Sequence, residues 1–167
     1  MPTPAEVSFR LFISAASCAD QSGHEVAAYE FHVEALTLYE EALLDSKAQA
    51  AAIPLLIGAL AGSRVLQGSN YGTLVAKCVA CCSRLLKKSD QSRALMMAAH
   101  LFWGADRVEA TGTGQGWRDG KRILECLQRG LKVADSVLDP AVHFQLFVVM
   151  LERYVWMMEN SVDSVSL

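Results

Sequence analysis

The sequence has no excess of positive charge and few charged side chains of either sign. Its 167 residues carry a formal net charge of −3, and 20% of them are charged. Because binding to a phosphate backbone needs a clustered excess of lysine and arginine, nucleic acid is excluded as the principal partner. A disordered chain is excluded as well, since 52% of the residues are hydrophobic and can bury enough surface to offset the chain entropy.

A long hydrophobic run and a targeting segment are also missing. The longest uncharged run, residues 48–63, falls short of the roughly 20 residues that span a bilayer, and it contains Pro54. The first residues lack a basic region, and Glu6 and Arg10 interrupt the apolar positions, so we expect neither a secretory signal nor a transmembrane helix. The five cysteines are then expected to be reduced thiols, because an odd number fits a disulfide framework poorly.

Apolar residues recur at helical spacing along most of the chain, and no window shows the strict alternation of a half-buried strand. This pattern predicts an all-α fold. Seven helices are expected at about residues 5–21, 24–44, 47–66, 72–88, 90–103, 118–136 and 140–159. Asp45 is the predicted N-cap of the third helix, Ser89 or Asp90 that of the fifth, and Asp139 that of the seventh. Residues 104–116, rich in glycine and threonine, are expected to form a flexible loop.

The spacing of the helices predicts an array of antiparallel pairs. Their centres fall about 20 residues apart, so pairs recur at about 40 to 50 residues, the period of HEAT-like α-solenoids. We therefore expect residues 1–167 to be a single fragment of an α-solenoid, and a compact helical bundle is the alternative. The seventh helix is apolar on nearly all sides, which predicts that a continuation of the chain or a partner covers it.

Motifs for metal binding or catalysis are incomplete. Cys78, Cys81 and Cys82 form a CxxCC without a second ligand pair in range, so they are interpreted as buried residues of an amphipathic helix and no metal site is predicted. His24-Glu25 begins like a zinc-protease motif, but Ala28 replaces the second histidine. We expect no cofactor and no enzymatic activity, although a catalytic set assembled only by the fold stays open.

Two glycine-containing segments also lack the features of a nucleotide site. Residues 112–116 have neither a predicted strand before them nor GxGxxG spacing, and residues 120–122 lack the glycine and hydroxyl residue of a phosphate loop.

Basic and aromatic residues stand out in a sequence with few of either. Lysines in residues 84–88 are interpreted as stabilising the carboxyl end of the fourth helix. Trp103, Trp117 and Trp156 suit either a core or an interface, and core burial is the prediction for each.

Several short strings, in the same order, resemble the C-terminal part of the large retromer subunit family, vacuolar protein sorting protein thirty-five. The strings cover residues 38–41 with 45–49, 85–91 with 93–94, 100–103, 120–122 with 125–127, and 145–147 with 153–154. The chain departs from the family pattern at Ser89, where proline is common, in residues 112–116, and in lacking further helices after Glu159.

The resemblance implies a non-enzymatic α-solenoid scaffold of the endosomal coat that recycles membrane cargo. It also implies that these helices bind a small subunit with a metallophosphoesterase-like fold, vacuolar protein sorting protein twenty-nine. In the full-length coat, the same end of the solenoid is expected to take part in self-association. The implied location is cytoplasmic, peripheral on endosomal membranes, without membrane insertion.

Within these strings, four residues are the predicted partner-binding set. His100 and Trp103 form its centre, with Arg93 and Tyr39 nearby, because an aromatic residue beside hydrogen-bond donors suits a desolvated anchor with a polar rim. His100 as a hydrogen-bonded core histidine is the alternative. Two other classes of protein are the alternatives: a TPR-like adaptor, whose 34-residue consensus the sequence lacks, and an enzyme with converging polar side chains.

Overall fold

The computed structural model describes residues 2–108 and 116–160, and within them it contains seven α-helices and one short pair of strands. The helices are α1 (Pro4–Gln21), α2 (Glu25–Glu41), α3 (Ser46–Gly62), α4 (Gly68–Ser83), α5 (Lys88–Ala99), α6 (Gly120–Asp135) and α7 (Pro140–Glu159). A single 3-10 turn, His100–Phe102, follows α5, and strands β1 (Trp103–Val108) and β2 (Gly116–Arg118) connect it to α6. The predicted all-α class is confirmed.

Side-chain caps explain where most helices begin. Thr3 and Glu6 form a capping box at α1, and Asp119 and Asp139 accept hydrogen bonds from the first backbone amides of α6 and α7. The predicted cap of the fifth helix is wrong. The α5 helix begins at Lys88, and the residue before it, Lys87, makes no side-chain cap, because Ser89 and Asp90 already lie within the first turn.

The ends of several helices also differ from prediction, among them α3, which ends at Gly62 instead of residue 66. The α4 helix ends at Ser83 instead of residue 88, so Lys87 and Lys88 lie at the start of α5 and do not stabilise the end of α4. The α5 helix ends at Ala99, after which the chain tightens into the 3-10 turn and continues as β1.

The β1 and β2 strands correct part of the predicted loop at 104–116. They pair antiparallel, with Trp103 opposite Arg118 and Val108 opposite Gly116. Strands of six and three residues are too short to show a hydrophobic alternation in sequence, and their pairing joins residues eight to fifteen positions apart. Residues 109–115 of the predicted loop lie outside the described residues.

Apart from α2 and α3, helices that are neighbours in sequence pack on one another, and the odd-numbered helices do so as well. Contacts join α1 to α3, α3 to α5 and α5 to α7, so these four helices form one row, while α2 packs on α4 beside it. Contacts that run from each repeat only to the next are typical of a helical solenoid.

The core lies between these helices and contains four of the cysteines. Cys78, Cys81 and Cys82 are buried along α4, and Cys126 is buried on α6, so the prediction of an amphipathic α4 with buried cysteines is confirmed. Burial raises the pKa of the Cys81 and Cys126 thiols to about 11. Such thiols stay protonated near neutral pH and are poor nucleophiles.

The α7 helix buries three side chains, Leu146, Met150 and Met157, and leaves a long apolar stripe exposed. The stripe, which we call the α7 stripe, consists of Phe144, Val148, Leu151, Val155 and Met158. Its members follow one another at intervals of three or four residues and therefore share one side of the helix. Despite this apolar content, no helix in the described ranges has the length and hydropathy needed to cross a bilayer.

Candidate functional site

His100 lies at the junction of α5 and α7 and contacts two α7 side chains. Its Nε2 atom is 3.4 Å from Nη1 of Arg153. Its ring centroid is 4.8 Å from that of Trp156, with the planes inclined at 62°. Burial, and secondarily the charge of Arg153, lower the pKa of His100. A neutral imidazole can accept the hydrogen bond from Arg153, which assigns the ring proton to Nδ1.

Trp103 begins β1 and is half-buried against the core. The backbone around it is fixed on both sides, since Trp103 pairs with Arg118 and the amide of Asp119 donates to the carbonyl of Phe102 at 3.0 Å. An aromatic side chain on a fixed backbone, part buried and part accessible, has the geometry of an interface anchor.

Arg93 lies on α5 at the edge of a cleft that faces α3. Its guanidinium is 3.9 Å from the carboxylate of Asp90, and its side chain is 45% exposed. The cleft has a volume of about 150 Å³. Its other lining residues are mostly apolar and come from both sides: Ala50, Ile53, Pro54, Leu85, Ala94 and Met97.

Three of the four predicted partner-binding residues therefore lie on or next to α5, in the middle of the odd-numbered row. Arg93 and His100 are seven residues apart, with Arg93 inside α5 and His100 in the 3-10 turn that follows it. Arg93 adjoins α3 and His100 adjoins α7. We call the region that contains Arg93, His100, Trp103, Arg153 and Trp156 the α3–α5–α7 surface.

Tyr39 does not belong to this surface, which corrects the expectation for it. It lies in the core, 4% exposed, with its ring centroid 6.5 Å from that of Phe9. Burial and the neighbouring cysteines of α4 raise its pKa. Its position on the inner face of α2 leaves it no surface to offer a partner.

Asp45 has the geometry of an N-cap. Its Oδ2 atom accepts a hydrogen bond from the amide of Ala48 at 2.8 Å at the start of α3. The side chain therefore satisfies one of the backbone donors that the first turn leaves without a partner.

Sequence reasoning missed two members of the surface. Trp156 was predicted to be buried, but it is 38% exposed, so that prediction is wrong. The sequence points to Arg153 only as part of a recurring string and as the one arginine of the mostly apolar α7 helix. The prediction for the Trp117 side chain lies outside the described part of the chain.

The surface is suited to binding and carries no metal-ligand cluster. Within residues 2–108 and 116–160, no three histidine, cysteine, aspartate or glutamate side chains converge as metal ligands would. What the surface offers is two aromatic rings, two guanidinium groups and a neutral imidazole, which are the groups enriched where proteins bind one another.

Comparison with known proteins gives one consistent family. The family model described as vacuolar protein sorting-associated protein 35 matches residues 1–167. The protein of that name from Schizosaccharomyces pombe is 38% identical over 160 residues, which cover 96% of this chain and 19% of the relative. Vacuolar protein sorting-associated protein 35A of Arabidopsis thaliana is 38% identical over 173 residues, covering 99% of this chain and 21% of the relative.

A more distant relative of the same name, from Dictyostelium discoideum, is 27% identical over 161 residues, covering 96% of this chain and 20% of the relative. The chain thus spans about a fifth of the length of these relatives. The family model matches residues 1–167, which is the whole of this chain, so the chain belongs to the vacuolar protein sorting-associated protein 35 family.

Proposed function

We propose that this chain is a non-enzymatic scaffold segment of the retromer endosomal coat that serves protein transport from endosomes. The observation that carries the proposal is the match of the whole chain to a single family of vacuolar sorting proteins. A solenoid of paired helices that presents an accessible aromatic and basic surface supports a role in binding.

The partner we propose is the small retromer subunit with a metallophosphoesterase-like fold, and the α3–α5–α7 surface is its proposed binding site. Trp103 and His100 provide the anchor, and Arg93 lies on the rim beside the cleft between α3 and α5. Half-buried aromatic residues contribute large contact area at low entropic cost, because a packed side chain loses little freedom on binding.

The proposed location is the cytoplasmic face of endosomes, with attachment through other coat components. Self-association in the full-length coat is part of the same proposal, and the α7 stripe is an apolar surface that could support it.

The test measures the affinity of the small subunit for the chain and for two variants, His100→Ala and Trp103→Ala. Truncating an anchor residue typically costs about 2 kcal/mol or more, so each variant should bind at least about 30-fold more weakly. His24→Ala is the matched control, because His24 is exposed and its side chain makes no cap hydrogen bond.

Circular dichroism must show that each variant keeps the helical content of the parent chain. A folded parent chain that does not bind the small subunit would contradict the proposed function. Unchanged affinity in both variants, with a parent chain that binds, would contradict the placement of the site alone.

A further inference from the structure

Among the described residues, no carboxylate forms an ion pair with the Arg153 side chain. Among the described residues, Nε of Arg153 is the one arginine nitrogen that is buried without a hydrogen-bond partner. Arg84, Arg93 and Arg122, by contrast, each lie within 4 Å of a carboxylate oxygen. A buried N–H without an acceptor is unfavourable, and more so when the group is charged.

The groups around Arg153 do not supply the missing charge. Its one described polar contact is with Nε2 of His100, which the lowered pKa leaves neutral. The carboxyl end of α5 lies beside it, but no backbone carbonyl there accepts a hydrogen bond from the guanidinium in the described structure. Within the described ranges, the guanidinium of Arg153 is therefore oriented by a neutral acceptor, and its Nε–H has no acceptor.

The position of this group indicates what would satisfy it. Arg153 is half-buried, and beside it lies Trp156, 38% exposed, whose ring also packs against His100. A guanidinium offers donors in a planar fork that matches the two oxygens of a carboxylate, and such a pair strengthens where an aromatic neighbour excludes water.

We propose that Arg153, held by His100 and flanked by Trp156, forms a carboxylate-binding subsite of the α3–α5–α7 surface that takes an aspartate or glutamate side chain of the protein partner. This inference rests on the proposed function for the identity of that partner. The carboxylate oxygens accept from the terminal Nη groups of Arg153, because Nε is buried and out of reach of a partner, and the negative charge offsets the half-buried cation.

The first arm of the test needs no partner protein. Sodium acetate is titrated into the chain while the side-chain NMR resonances of His100 are followed, with the parent chain and Arg153→Gln compared at equal ionic strength. A saturable shift in the parent chain that is absent in Arg153→Gln is the expected result. A larger response to inorganic phosphate than to acetate at the same pH would overturn the assignment to a carboxylate.

The second arm uses the small subunit. Arg153→Gln should weaken its binding at least about tenfold, Arg153→Lys should recover part of that loss, and the weakening should shrink as salt rises. Arg129→Gln is the matched control, because Arg129 is an exposed arginine that donates to the Ser83 hydroxyl at 2.9 Å. Exposed acidic residues of the small subunit are then changed one at a time to their amides. One of these changes should weaken binding to the parent chain but not to the Arg153→Gln variant.

The two arms separate this inference from the proposed function. If acetate shifts His100 but the folded chain does not bind the small subunit, the proposed function fails and the subsite stands. Unchanged affinity in Arg153→Gln, or weakening without coupling to any acidic residue of the partner, overturns the subsite as part of this interface. If acetate causes no shift of the His100 resonances in the parent chain, and either of these two affinity results is also found, the carboxylate-binding subsite is overturned altogether.

Discussion

His32 is a buried residue whose chemistry the fold changes strongly. Its side chain is 1% exposed, and its Nδ1 atom has no hydrogen-bond partner in the described structure. It borders a polar cavity of about 140 Å³ between α1, α2 and α3, which Asp20 and Ser63 also line. Burial lowers the pKa of His32 to about 4, although the charge of Asp20 acts in the opposite direction. The ring is therefore neutral throughout the physiological range.

This shift predicts that acid destabilises the fold. As pH falls below 6.5, the unfolded chain binds a proton on His32, whereas the folded chain does so only near pH 4. The free energy of unfolding should therefore be fully retained above pH 6.5 and decrease towards pH 4, by up to about 3 kcal/mol from this group.

Urea denaturation of the parent chain and of His32→Leu across this pH range provides the measurement. The variant should lose less stability on acidification. His100 shifts in the same direction and contributes equally to both proteins, so it serves as an internal reference. Equal pH dependence in the two proteins would show that His32 does not titrate in this way.

At the scale of helices, capping residues made the starts of several elements predictable. Asp45 and Asp139 occupy the positions expected from sequence, because an N-cap depends on residues three positions apart at most. The ends were harder to predict. The α3 helix stops at Gly62 because the carboxylate of Asp20, on α1, accepts hydrogen bonds from the amides of Arg64 and Val65. Because these groups are more than 40 residues apart in the chain, a local sequence pattern does not indicate the contact between them.

Removing the Asp45 cap should destabilise the chain modestly. Asp45→Ala leaves the amide of Ala48 without its acceptor, which should lower the free energy of unfolding by about 1 kcal/mol. Asp45→Asn, which keeps a capping oxygen, should remain within about 0.5 kcal/mol of the parent chain. Urea denaturation followed by circular dichroism compares the three proteins, and an Asn variant as unstable as the Ala variant would argue against the cap.

The hydrogen bonds between Asp20 and the end of α3 should contribute more to the free energy of unfolding than the Asp45 cap does. Asp20 is 9% exposed and also accepts from the hydroxyl of Ser63, so Asp20→Ala leaves several donors near the core without an acceptor. We expect a loss of about 3 kcal/mol in the free energy of unfolding, since hydrogen bonds to a charged group contribute more than neutral ones. Ser63→Ala, which removes one donor and keeps the carboxylate, should cost about 1 kcal/mol. Similar losses for both variants, in the same denaturation experiment, would contradict this ranking.

At the scale of the whole molecule, the row of odd-numbered helices explains which residues of the α3–α5–α7 surface can be predicted from sequence and which cannot. His100 and Arg93 were found because they are close in sequence and belong to short recognisable strings. Arg153 and Trp156 join them only because α7 packs on α5, more than 50 residues away in sequence. Tyr39 was misplaced because a recurring string does not tell which face of its helix is buried.

The α7 stripe should make the chain self-associate. Five apolar side chains on one side of a helix form a surface that favours burial. Sedimentation velocity should show a concentration-dependent dimer in the micromolar range for the parent chain. Leu151→Glu together with Phe144→Ser should shift the dissociation constant at least about tenfold towards the monomer.

Leu44→Glu is the control for this experiment, because Leu44 is 84% exposed but lies outside the α7 stripe. If it dissociates the dimer as well as the α7 double variant does, the stripe is not the interface.

The ladder between β1 and β2 has a practical consequence for labelling. The pairing of Val108 with Gly116 brings the two ends of the intervening segment together, while Trp103 and Arg118 fix the base of the hairpin. Loop closure costs little more as a loop grows, so a peptide tag inserted between these two ends should leave Trp103 and the start of α6 in place. The hairpin is thus a natural position for a fluorophore or affinity tag, about one strand length from the surface whose binding such a probe would report.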